Sequence, residues 1–86
     1  MIMTPILSLH GTSADELIQQ RIDACAAIRD AMQALSATSP NGRDYIGHPS
    51  LYEADRAIYA ERFAALDRLH NELMAEAEKI MLRAQK

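Results

Sequence analysis

From Leu51 to Lys86 the chain contains neither glycine nor proline, and an uninterrupted run of that length has few alternatives to one long helix. Its apolar residues agree: Tyr59, Phe63, Leu66, Leu69 or His70, Leu73, Ala77, Ile80 and Ala84 recur near a heptad interval and form one stripe. Glu61, Arg68, Glu72, Glu76, Lys79 and Arg83 then fall mainly on the solvated circumference. In Pro49-Ser50-Leu51-Tyr52-Glu53, Ser50 is placed to cap the helix and Glu53 to reach back as its reciprocal partner. This second helix is expected over 51–85.

An earlier helix is expected over 13–37. Ser13 followed by Glu16 repeats the capping-box spacing, and Ile18, Ile22, Cys25, Ile28, Met32 and Leu35 keep to one stripe. Arg21, Asp23, Arg29, Asp30 and Gln33 mostly take the remaining surface. The helix stops between Ser36 and Pro40, because the residue before a proline avoids helical geometry and Asn41-Gly42 favours a turn. Residues 38–50 form a polar loop. Ahead of the first helix, residues 1–11 form an arm in which Ile6 to His10 alternate faces as a short β-strand would, ending at Gly11.

The composition fits one mainly α domain. Of 86 residues, 49% are apolar but only one is Phe, three are Tyr and none is Trp, so burial depends on Ala, Leu, Ile and five Met. Nine basic against twelve acidic residues give a net charge of −3, which argues against a general duplex-DNA binder. The single cysteine, Cys25, rules out an internal disulfide and a multi-thiolate metal site, and favours a reducing compartment. No apolar run approaches ~18 residues and Met1–Leu9 lacks the basic start of a signal peptide, so a cytoplasmic protein without a membrane segment is expected.

The two helices, roughly 35 and 50 Å long by their rise per residue, do not match end to end. In an antiparallel hairpin the C-terminal end of the second is expected to project beyond the first, carrying Ile80 and Met81. A lone strand also leaves a row of backbone groups in need of a partner. Both features point to a homo-oligomer, a dimer or higher, in which a second copy pairs the strands and packs the long helices. The alternative is an extended arm lying along its own hairpin.

Candidate chemistry gathers at the element ends. His10-Gly11-Thr12-Ser13 puts an imidazole, two hydroxyls and free amides at the positive end of a helix dipole, where a phosphate fits; equally, Thr12 and Ser13 act as caps alone. Asn41-Gly42-Arg43-Asp44-Tyr45-Ile46-Gly47-His48 is richer than a plain turn requires. Arg43 suits a phosphate, Asn41 and Asp44 suit sugar or base edges, and Tyr45 suits stacking, with His48 beside them. The alternative is an Arg43–Asp44 ion pair with Tyr45 as a hydrophobic plug. Tyr52, Arg56 and Tyr59 extend one side of the second helix as a further surface or as a self-contained stack. No pairing of His10, His48 or His70 with acids has catalytic or metal-ligating spacing, and no Walker-type loop or GxSxG elbow occurs, so neither an enzyme nor a metal or cofactor site is expected.

The order Leu9-His10-Gly11-Thr12, helix, Pro40-Asn41-Gly42-Arg43-Asp44-Tyr45, charged helix resembles small helical-hairpin proteins of tailed phages and prophages. The likeness spans most of the chain, with its specific part at the two element ends. In style of architecture the chain is also similar to phage anti-defence sponges of the Thoeris anti-defence and anti-CBASS type. That similarity implies non-catalytic sequestration of a nucleotide-derived immune messenger in the host bacterial cytoplasm, at composite sites between subunits. Its ligand-binding residues would be His10, Thr12, Ser13, Asn41, Arg43, Asp44, Tyr45 and His48. Two other classes suit the same sequence: a protein-binding inhibitor of anti-CRISPR style presenting the acidic face of Glu72, Glu76 and Glu78, and a structural phage accessory protein with a coiled interface.

Overall fold

The computed structural model describes residues 1–7 and 11–85. Helix α1 spans Ala14–Ser36, a single 3-10 turn spans Gly42–Tyr45, and helix α2 spans Pro49–Ala84. The two helices form an antiparallel hairpin, a rod of 63 × 20 × 17 Å.

Ser13 caps α1 as its sequence implies: its backbone is extended and its hydroxyl accepts from the Glu16 amide at 3.2 Å. The start of α2 differs from expectation. Proline fits the first turn because its φ is already helical and its missing N–H would have had no partner there. The helix therefore begins at Pro49, with His48 in the cap position and no side-chain cap. Ser50 lies inside the first turn, and Glu53 pairs instead with Arg56 at 3.4 Å. Gly47, at φ 81°, supplies the left-handed step between the 3-10 turn and the helix.

The seam between the helices follows a strict seven-residue pattern. Along α1 the inward positions are Ala14, Ile18, Arg21, Cys25, Ile28, Met32 and Leu35. Position 21, not 22, faces α2, so Ile22 remains 42% exposed while Arg21 turns inward. There its Nε donates to Glu76 Oε1 at 3.1 Å and its Nη1 to the Leu17 carbonyl at 3.2 Å. Both members of this pair, expected on solvated surface, are nearly buried, with side chains 11% and 6% exposed. On α2 the choice between Leu69 and His70 falls to His70, whose carbonyl accepts from the Cys25 thiol at 3.5 Å. Arg29 lies 3.0 Å from His70 Nε2; a guanidinium only donates, so that nitrogen is the acceptor and Nδ1 carries the proton toward Asn71 Oδ1. Only Cys25, Glu76, Ala77 and Ile80 are buried among the described residues.

The alignment of the helices corrects one expectation and the N-terminal segment corrects another. Arg21 meets Glu76 and Cys25 meets His70, so Ala14 lies beside the C-terminal end of α2 and no tip projects there. The extra length of α2 is at its start, Pro49 to Ile58, and the connection runs back along it: Tyr45 donates to Asp55 Oδ2 at 2.6 Å. The N-terminal segment is an arm. Ile6 and Leu7 belong to no strand, and Ser8, Leu9 and His10 of the expected strand lie outside the described residues. The Met1 ammonium donates to Glu72 Oε1 at 3.1 Å and Arg83 donates to the Pro5 carbonyl, so the segment's polar groups turn to α2 side chains. Three of the four buried residues fall within the stretch of α2 that these two contacts bracket.

Removing one partner of a nearly buried ion pair strands the other charge. Arg21→Ala is expected to cost about 3 kcal/mol in urea unfolding at fixed protein concentration. Arg21→Met combined with Glu76→Leu should recover most of that loss.

Candidate functional site

The residues singled out in the sequence do not converge. Thr12 and Ser13 are exposed at one end of the rod and Asn41 to His48 lie at the other, separated by the length of α1. His10 lies outside the described residues. Within one chain the two groups cannot share a ligand.

At the loop end the polar groups mostly serve the loop. Asn41 Oδ1 accepts from the Arg43 amide at 3.0 Å and lies 3.4 Å from Arg43 Nε. The Asp44 amide donates to the Asn41 carbonyl at 2.9 Å, and the His48 amide to the Tyr45 carbonyl at 2.8 Å. Tyr45 is the clasp: besides its bond to Asp55, its ring lies 5.4 Å from that of Tyr52, tilted by 51°. Arg56 sits 5.6 Å above the Tyr52 ring and completes a short stack. The Arg43, Asp44 and His48 side chains remain exposed, and no ion pair joins Arg43 to Asp44 among the described residues.

The long sides of the rod are unequal. On one flank of the seam, Tyr45 covers Asp55, with Ile58 and Arg62 beside it around a recess of about 250 Å³; at the other end the arm crosses to Glu72 and Arg83, leaving a groove of about 510 Å³ between Thr4, Ile6, Lys79 and Leu82. The opposite flank has only Ser39 and Pro40 of the connection at its loop end. Two shallow grooves follow one another along it. The first, about 550 Å³, is lined by Ser39, Pro40, Arg56, Tyr59, Ala60, Phe63, Ala64 and Asp67. The second, about 500 Å³, is lined by Ile18, Ile22, Asn71, Met74, Ala75, Ala77, Glu78 and Met81. On α2 the succession Arg56, Ala60, Phe63, Asp67, Asn71, Met74, Glu78, Met81 steps by three or four, so both grooves lie on one continuous face. Sequence reasoning missed this face. Its signal was present as a second seven-residue repeat displaced from the main stripe, diluted by Arg56, Asp67 and Glu78.

Among the described residues no three His, Cys, Asp or Glu side chains gather as a metal ion requires, and no helix is long and apolar enough to cross a membrane. Compared with protein-family models, curated proteins and solved structures, the chain matches none.

The Tyr45–Asp55 bond has a pH signature. The hydrogen bond to Asp55, then desolvation and the neighbouring Asp55 and Asp44 charges, hold the Tyr45 phenol above its ordinary value of 10.0. A raised value in the folded chain means that the contribution is fully present below pH 10 and disappears as pH climbs through the folded-state value, where phenolate would face carboxylate. Chemical denaturation across pH 8 to 12 should therefore show stability falling above about pH 10. In Tyr45→Phe this part of the fall should be absent, from a lower starting stability.

Proposed function

We propose that this chain is a non-catalytic helical-hairpin interaction protein, which acts by burying its uncovered face against another helical surface. One observation carries the reading: Ile22, Met74 and Met81, each 42–45% exposed, lie together along one groove that the arm's contacts at Glu72 and Arg83 do not reach. A contiguous apolar strip on a helix pair is the usual form of a helix-docking surface. Native mass spectrometry of the gently purified chain should find it in complex, with a second copy or with another protein. Ile22→Glu with Met74→Glu should release it, and a free single chain before any substitution would overturn the reading.

A second reading, sequestration of a phosphate-bearing nucleotide, is favoured by Arg43 and Asp44, which stand exposed side by side at the loop end near the Arg56–Tyr52 stack. Arg43 would hold phosphate and an aromatic face would hold the base. The cost is that Ser13, Asn41 and Tyr45 already have partners inside the chain. Calorimetric titration with cyclic di- and trinucleotides and ADP-ribose isomers decides it: heat that Arg43→Ala abolishes supports this reading, and no heat from any of them removes it.

A further inference from the structure

The uncovered face says more about its occupant than that it is helical. Resting on the interaction reading above, we infer that the occupant is a second copy of this chain, docked antiparallel about a two-fold axis that passes α2 midway between Phe63 and Met74. Surface area, the charges at the two ends of the face and side-chain shape support this, whereas Asp67, beside the axis, approaches its own copy in either direction of docking.

A compact protein of 9.6 kDa exposes about 5,100 Å². This chain exposes 6462 Å², an excess of about 1,400 Å² over that compact value. A stable interface of ordinary size removes about 800 Å² from each partner. The excess is thus large enough for one full interface, and the 63 Å rod offers the length over which to form it.

The ends of the face are complementary to each other. Its loop end carries the cation Arg56 and its far end the anion Glu78. Parallel docking would set arginine against arginine and glutamate against glutamate. Antiparallel docking brings each Arg56 within a side-chain length of the other copy's Glu78. Arg56 already lies over the Tyr52 ring and contacts Glu53; the Glu53 contact, exposed on both sides, offers little resistance.

Shape follows the same direction. The loop end presents the aromatic Phe63 beside the small Ala60, whereas the far end presents the flexible Met74 and Met81. With Phe63 of one copy opposite Met74 of the other, sulfur meets ring edge twice by symmetry, and thioethers fill the space over alanine. Parallel docking would oppose ring to ring and leave alanine facing alanine.

Sedimentation should report a mass of two chains. Met74→Glu with Met81→Glu should weaken association on the order of 100-fold and give single helical chains. Ile46→Glu, at a position 80% exposed on the loop, should leave the dimer intact. Direction is read from disulfides formed by mixing Ala60→Cys chains with Glu78→Cys chains, Cys25 being buried: the mixture should cross-link and Ala60→Cys alone should not. This arm decides the matter even if the double glutamate variant fails to fold. Cross-linking by Ala60→Cys alone, or a dimer indifferent to Met74→Glu and Met81→Glu, overturns the inference. A complex with a different protein overturns the second copy and leaves the interaction reading standing, whereas a free single chain overturns both.

Discussion

Two α-helices laid side by side enclose only the strip along which they face each other. In a globular bundle, third and fourth helices cover the flanks of that strip; among the described residues a short arm and a loop take that place. The arm takes one end of one flank and the loop takes the other, each held by a few polar contacts. Three of the four buried residues among those described, Glu76, Ala77 and Ile80, lie in the stretch of α2 that the arm's contacts bracket, and Cys25 lies in the seam itself.

The same shortage explains why the polar loop is so heavily bonded to itself. A connection that must run back along the exposed start of α2 has no core to rest on, so Asn41 closes the 3-10 turn and Tyr45 ties it to Asp55 and Tyr52. These groups hold backbone in place first, and what remains available to a ligand is Arg43, Asp44, His48 and the Arg56 stack. A binding role at this end would use the periphery of a structural clasp.

Much of the helical hairpin was legible because its signals are local. Breaker-free sequence and the Ser13–Glu16 spacing act within one helix turn or one stripe. The failures share the opposite property. Hydropathy favours Ile22 over Arg21 for the seam, and only the partner at Glu76, fifty-five positions away, makes the arginine acceptable inside. Alternation alone points to a strand over Ile6 to His10, yet Ile6 and Leu7 belong to none, and Met1 and Pro5 beside them turn to Glu72 and Arg83 on a distant helix. At α2, Pro49 and Ser50 compete to start the helix, and the fixed φ of proline wins over a hydroxyl one residue later. The proposed ligand residues lie at the two ends of the rod, as the length of the first helix implies, so within one chain they form two separate groups.

The nearly buried Arg21–Glu76 pair does more than neutralise two charges. A seam of small and aliphatic side chains repeating every seven residues would accept the same helices slipped by one repeat, with much the same hydrocarbon contact. Such a slip carries Arg21 to Leu69 in one direction and to Arg83 in the other. Either way a guanidinium is left in a tight space, against an alkyl side chain or against its own kind. The pair acts as a ratchet pin that leaves the hairpin one setting, and the loop, arm and open face keep their positions because of it.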